Sequence, residues 1–441
     1  MQRNDRLVFW LGPIPCLFLK KHDDIATVLN QSLDRDFLGA TDEWLGKGIL
    51  TARHEEWTKS RKMLTPAFSS NMLTKYAKVF EKYSFHLVEK LKPVADTGKE
   101  IDVWDWLMKA NLDAITESSF GVSIQTGGKI GEAFCLAIHD AIKFIVKRFQ
   151  YPWLISRHLN MIYLHMIGKT NSIHDVKQYP TMVLKQNIKN FQDLQRDDNA
   201  PSNDDTSHAI IDLLVRFSFK EPSVTEIRMR DELLQIMGAA IETSPLNMSF
   251  LMLMLAMHQD IQQKAYEEVF KIKTDDGTFK PHDIIINMPY VEQCIKETLR
   301  MFTPVFHTNR RVHKDILLKD NMIIPANTYV TTFIHFSNYD PDLYKNPEKF
   351  DPEHFSEKAV EARPKTSQLS FGYGPRSCLG SKYAMLLIKT QVAHILLNYR
   401  ISTDVEEFTK THLKMDISIR SKIGYPIRFT SRRDRSSIMN S

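Results

Sequence analysis

One stretch of this sequence concentrates side chains that could do chemistry: Phe371-Gly372-Tyr373-Gly374-Pro375-Arg376-Ser377-Cys378-Leu379-Gly380. Cys378 stands at the junction of a loop and a helical pattern over 379–398. A thiol there meets the positive end of a helix dipole, which favours the thiolate. No second Cys or His shares the loop, so it is a poor zinc site. A lone thiolate suits the single axial position of an iron whose in-plane ligands come from a porphyrin. Gly374 and Gly380 carry no Cβ, so the backbone could approach a flat ring closely. Amides turned toward the sulfur would tune its potential. Arg376 could pair with a carboxylate on the ring's edge. The ordinary fate of a free cysteine is packing in a core, and these ten residues alone leave that alternative open.

The elements that must position this loop read as mostly helical. Leu7–Leu11 and Leu17–Leu19 are short strands around a Gly-Pro-x-Pro turn, and Asp23-Asp24 opens a helix through Leu29. Residues 34–56 read as loop, 57–94 as helix with a boundary at Pro66, and 101–121 as a helix stopped by Gly121. Residues 130–195 suggest three or four helices interrupted at Pro152 and Pro180, and Asp197–Ser207 is a polar linker. The longest helical pattern, 225–271, contains Pro245; a further helix covers 289–302, and 316–335 alternates in short β-like runs. Residues 340–356 are Pro-rich and irregular, and the chain from Thr430 is polar and frayed. No internal repeat occurs. The expectation is a mainly α fold with small β-sheets, one large domain over 1–429 and a polar tail over 430–441.

Composition narrows the classes. Apolar residues make up 43% and charged residues 25% of 441, enough for a large core. With 58 Lys and Arg against 53 Asp and Glu, nothing points to nucleic acid. Cys16, Cys135, Cys294 and Cys378 lie far apart, which excludes a disulfide framework and fits a reducing compartment. No apolar run reaches the ~18 residues of a spanning helix. The first residues, Met-Gln-Arg-Asn-Asp-Arg, do not form a signal peptide. As written, the chain reads as soluble or peripheral.

The spacing F-x-x-G-x-R-x-C-x-G resembles the haem-binding signature of the cytochrome P-450 superfamily, and further segments similar to that family follow in order. Glu297-Thr298-Leu299-Arg300 matches its E-x-x-R, where i and i+3 share a helix face and can pair. The usual third partner is an arginine in P-x-x-F-x-P-E-R-F. Here the run is Pro347-Glu348-Lys349-Phe350-Asp351-Pro352-Glu353-His354-Phe355, with His354 in the arginine's place. Histidine is no permanent cation, so a weaker or pH-sensitive network is expected. Trp57-x-x-x-Arg61 matches a motif beside the haem propionates, and Arg310 matches another propionate contact. Arg311 is its rival, since neighbours in a strand point to opposite faces. Ala239-Ala240-Ile241-Glu242-Thr243-Ser244 resembles the oxygen-activation motif, in which Thr243 would hydrogen-bond dioxygen and Glu242 would relay protons. Ala240 replaces the motif's glycine, and Pro245 should kink the helix there.

The resemblance is closest to the animal microsomal branch that includes fatty-acid ω-hydroxylases and arthropod xenobiotic oxidases, through the run Trp57–Phe68. It implies haem b with an axial thiolate from Cys378. No covalent haem ester is expected, because Ala239 stands where some members carry glutamate. It implies a monomeric monooxygenase that uses dioxygen and NADPH through NADPH–cytochrome P-450 reductase, with cytochrome b5 as an optional donor. The location implied is the cytosolic face of the endoplasmic reticulum. The family's anchor helix and proline-rich hinge would precede residue 1, so a truncated gene product is one expectation. Lys59, Lys62 and Lys382 would meet the reductase or are simply solvated. The substrate would be lipophilic, in an apolar pocket with Phe306, Ile241 and Met237, and His307 could orient it. Two alternatives stay open: a haem-binding homologue impaired by Ala240, Pro245 and His354, and an oxygen-independent isomerase or dehydratase.

Overall fold

The computed structural model describes residues 5–11, 14–35, 40–123, 128–196, 210–415 and 418–432. The expected linker and most of the expected tail lie outside these residues. The first strands are β1 (Arg6–Leu11) and β2 (Ile14–Leu19), followed by helix α1 (His22–Gln31). The stretch expected to be loop holds a short helix, α2 (Asp42–Leu45), and the start of α3 (His54–Leu64). A 3₁₀ turn at Thr65–Phe68 accommodates Pro66 before α4 (Ser70–Leu91). Strand β3 (Ile101–Asp102) precedes α5 (Trp104–Phe120), which Gly121 ends in the left-handed region at φ 69°.

The helices α6 (Gly128–Gln150), α7 (Arg157–Met166) and α8 (Thr170–Arg196) follow. The expected interruption at Pro180 is corrected: α8 runs through it. Its neighbours Val176, Tyr179, Val183 and Leu184 are buried, and Tyr179 packs on Phe134 of α6 at 5.5 Å. Burying four such side chains outweighs the ~3 kcal/mol cost of an interior proline. After α9 (Ile210–Lys220), the long pattern divides into α10 (Glu226–Met257) and α11 (Gln259–Ile272). The break is His258, whose Nδ1 lies 2.9 Å from the Met254 carbonyl and whose φ and ψ are −116° and 83°.

The helix α10 runs unbroken across Pro245, and every side chain from Leu246 to Ala256 is buried. Among the described residues it is the one helix long and apolar enough to cross a membrane, yet it is the core of the protein. A helix apolar on all sides needs protein on all sides. Short α12 (Pro281–Ile286) and α13 (Pro289–Met301) follow, each with proline in its first turn, where no amide is missed.

Four strands come next: β4 (His307–Arg311), β5 (Ile316–Leu317), β6 (Ile323–Ile324) and β7 (Tyr329–Phe333). Short α14 (Ile334–Ser337) and α15 (Glu357–Glu361) flank the irregular Pro-rich stretch, and α16 (Ser381–Asn398) follows the cysteine loop. Four strands close the chain: β8 (Tyr399–Ser402), β9 (Leu413–Met415), β10 (Ile419–Ser421) and β11 (Pro426–Ser431). Thr430 and Ser431 are therefore not frayed; they pair with Arg400 and Tyr399. The main sheet has the order β1-β2-β7-β4, with β2 and β7 parallel. The fold is mainly α with small sheets, as the sequence suggests.

Candidate active site

The cysteine loop is wound by its own backbone. The Gly372 amide donates to the Leu369 carbonyl (2.7 Å), Ser377 to Gly374 (3.0 Å), and Cys378 to Phe371 (2.7 Å). Gly372 and Gly374 hold φ of 74° and 73°. A Cβ on Gly374 would sit 2.8 Å from the Leu29 carbonyl of α1. The glycine is thus required by the protein's own packing, whereas a Cβ on Gly380 would meet only Phe68 at 3.7 Å. Gly374→Ala should cost about 2 kcal/mol, because it combines a left-handed backbone with a clash against backbone. Thermal unfolding beside Gly380→Ala, which should stay within about 0.5 kcal/mol of native, checks this.

Cys378 is solvent-accessible, though protein crowds it enough that burial pushes its thiol up. The Gly380 amide and the charges of Arg35 and Arg61 pull the other way.

Around the loop converge Arg35, Arg61, Arg310 and Arg376. Arg376 donates to the carbonyls of Leu33 (2.8 Å) and Ala52 (2.7 Å) and lies 4.9 Å over the Trp57 ring. Arg61 donates to the Ser377 carbonyl (2.9 Å), and Arg310 to that of Ser32 (3.0 Å). Arg310 is the buried member of its pair, while Arg311 lies over Tyr329 at 5.4 Å. Among the described residues none of the four makes an ion pair, and Arg35 Nε is buried without a partner. Burial lowers all four; Arg376 is pushed down to about 9, with Arg35 repelling it and Arg310. Uncompensated buried cations are costly, so this donor set calls for an anion. The donor set fits a ligand that carries carboxylates. Sequence reasoning found three of these arginines and missed Arg35, which nothing in its spacing distinguishes from Arg53.

Behind the loop sits the charge network. Arg300 Nε and Nη2 donate to the two Glu297 oxygens at 2.8 Å each, with both side chains fully buried. Arg300 also donates to the carbonyls of Asn338 (2.9 Å) and Pro347 (2.8 Å). Ser370, at the head of the cysteine loop, donates to the Leu299 carbonyl (3.0 Å) and ties the network to the loop. His354 occupies the expected place: Nδ1 lies 3.0 Å from Glu297 Oε1 and Nε2 lies 2.6 Å from the Lys345 carbonyl. Both partners are acceptors, so both ring nitrogens carry hydrogen and the ring is an imidazolium. Burial opposes that charge, but Glu297 and the carbonyl outweigh it and raise His354. Burial would likewise raise Glu297, but Arg300 and His354 hold it below the ordinary range.

The oxygen motif is arranged otherwise than expected. Thr243 Oγ1 donates to the Ala239 carbonyl (2.9 Å). Glu242, beside it, is buried and directed to the C-terminal hairpin: Oε1 accepts from Ser418 and from Arg420 Nη2 (2.7 Å). Met237 and Ile241, expected to line a pocket, are packed in the core, whereas Ala239 is exposed. His307 is lowered by burial, its Nδ1 has no partner, and its ring packs 4.6 Å from Phe306.

A thiol-bearing loop before a core-facing helix, backed by a buried glutamate–arginine pair in a mainly helical domain, is the arrangement expected of a haem-thiolate enzyme. The chain belongs to the cytochrome P450 family, whose family model matches residues 4–425. It is a cytochrome P450 monooxygenase. Cytochrome P450 4g15 of Drosophila melanogaster is 25% identical over 493 aligned positions, covering 96% of this chain and 85% of the relative. Cytochrome P450 4F2 of Homo sapiens is 26% identical, covering 95% and 82%. Leukotriene-B4 omega-hydroxylase 3 of Mus musculus is 25% identical, covering 91% and 78%.

Proposed function

We propose that residues 1–429 form one haem-thiolate unit that hydroxylates a lipid, with haem b held by Cys378. The unpaired arginine cluster around the loop carries this reading. Trp57, Arg61, Arg310, Arg376 and Arg35 would hold the two propionates. Bound there, haem b supplies the redox chemistry that inserts one atom of dioxygen into a C–H bond. The Thr243 hydroxyl, free to exchange its Ala239 acceptor, orients a proton on the accessible face of α10. Glu242, buried against Ser418 and Arg420, must leave Arg420 to relay protons. Apolar packing around Phe306 and Phe333 excludes water, and neutral His307 can hydrogen-bond a polar group of the substrate. Ala239 leaves no carboxylate for an ester link.

Thr243→Ala should keep haem and fold but release most electrons as hydrogen peroxide, lowering product per NADPH about tenfold or more. Measuring peroxide and product together checks this; unchanged coupling removes Thr243 from the mechanism. A reading without dioxygen predicts no NADPH use at all. Electrons would come from NADPH–cytochrome P-450 reductase or cytochrome b5, met by the exposed Lys59, Lys62 and Lys382. The resemblance to a leukotriene-B4 omega-hydroxylase supports a lipid substrate hydroxylated at its chain end. The test of the whole reading is the absorbance of the reduced protein under carbon monoxide, which should give the red-shifted thiolate Soret band.

Attachment to the endoplasmic reticulum is supported by α7 and the turn before it. Leu159, Ile162 and Met166 are exposed at i, i+3 and i+7, with Trp153 beside them in sequence, 60% exposed. Such an apolar face lies in a membrane interface rather than across it. Trp153→Ala with Ile162→Glu should release the protein from phospholipid vesicles in a flotation assay.

A further inference from the structure

We propose that Glu232 and Gln235 are positioning residues through which α10 sets the Arg376 guanidinium, and with it the anion-binding edge of the cysteine loop; this rests on the haem-thiolate reading. The segment between α2 and α3 has no regular structure, and its amides are held by α10. Lys47 N donates to Asp231 Oδ2 (3.0 Å), Ile49 N to Glu232 Oε2 (2.7 Å), and Leu50 N and Thr51 N to Gln235 Oε1 (2.7 and 3.3 Å). Gln235 Nε2 returns donors to Gly46 O (3.1 Å) and Thr51 Oγ1 (2.7 Å). Glu232 Oε1 is fixed from behind by Ser60 and by Arg228 Nε (3.1 Å).

The same few peptides carry two of the three acceptors of Arg376, Ala52 O at 2.7 Å and Ile49 O at 3.4 Å from Nη2; the third, Leu33 O, follows α1. Contact is close enough to dictate sequence. A Cβ on Gly46 would overlap Asp231 Oδ2 at 2.1 Å, and one on Gly48 would meet Gln235 at 2.9 Å. The Gly46-x-Gly48 spacing therefore exists to let α10 approach. Gln235 lies eight residues before Thr243 on one rigid helix, and Arg376 lies two residues before Cys378. The links are hydrogen bonds of 2.7–3.4 Å from buried Glu232, Gln235 and Arg376 to the peptides of residues 49–52, so a shift of α10 moves Arg376. A substrate pressed against the accessible face of α10 at Ala239 would thereby be felt at Arg376. Glu232 and Gln235 are also 0% and 1% exposed, and packing alone would be served better by apolar side chains.

The test compares Gln235→Leu and Gln235→Glu with the native holoprotein. Haem loss to excess apomyoglobin and the haem midpoint potential are measured without and with lauric acid. Gln235→Leu leaves the Leu50 and Thr51 amides without their acceptor. It should raise the haem-loss rate about tenfold, the effect of one or two lost buried hydrogen bonds. It should also shrink the lauric-acid-induced change in potential. Gln235→Glu keeps the Oε1 acceptor and should fall between the two, and it decides the matter if the leucine variant does not fold. A lower melting temperature with native haem loss and native potential would mean Gln235 only stabilises, and the inference falls. If the native protein gives no thiolate-type Soret band, the underlying reading fails instead, whatever Gln235 does.

Discussion

Cys378→Ser, reduced under carbon monoxide, is expected to lose the red-shifted Soret band completely and to turn over no substrate. The substitution is close to isosteric. The Cys378 amide stays bound to the Phe371 carbonyl, and the left-handed glycines that shape the loop are untouched. Stability should therefore stay within about 1 kcal/mol of native, and the four arginines still offer an anion site. What disappears is the soft, electron-donating sulfur that a thiolate-bound haem requires. The variant should thus bind haem more loosely and show an oxygen- or histidine-like spectrum. A surviving thiolate-type band would place the ligand on another cysteine, and with it the whole site.

Arg300→Ala should give little or no folded haem protein. Removing one member of a fully buried pair leaves the other as an unpaired charge, a loss of about 3–5 kcal/mol, which is a large fraction of a domain's stability. Five acceptor atoms, two on Glu297 and the carbonyls of Asn338, Pro347 and Lys349, lose their donor at once. Native stability in urea would mean that the pair holds nothing.

His354 adds a pH dependence that a permanent cation would not. Its folded value is raised above 6.5, so it favours the folded state by holding a proton. That contribution is fully present below the unfolded value and is lost as pH rises through the folded one. From this group alone the protein is more resistant to urea around pH 6 than around pH 8.5. His354→Gln should remove that slope while leaving Glu297 and Arg300 joined. A slope that persists in the variant would assign it to another group.

Side chains that chemistry forces into fixed spacing were readable in advance: the cysteine loop, Glu297 with Arg300, and Trp57 with Arg61 all converge. Arg310 was separable from Arg311 only in three dimensions, because alternation leaves the inward choice open until the strand is placed. Arg35 carries no local signal. Its role arises from the three other cations around it. The partner of Glu242 lies 178 residues away, so no window of sequence could reveal that the acid is tethered. The strands β8 to β11 are three to six residues long and defined by pairing, not by their own pattern. Pro180 misled for the opposite reason: a strong local rule yielded to tertiary burial.

The parallel pairing of β2 with β7 joins Cys16–Leu19 to Tyr329–Thr332. On a ribosome adding about 5–20 residues per second, the first hairpin waits roughly 15–60 s for its neighbour. Until then Leu17 and Leu19 pair only with β1, and Leu19 and the α1 residues Ile25, Val28 and Leu29 lack Val330, with which they share a core. The four-stranded sheet therefore forms late, because its inner parallel pair is complete only once residues up to 333 are available.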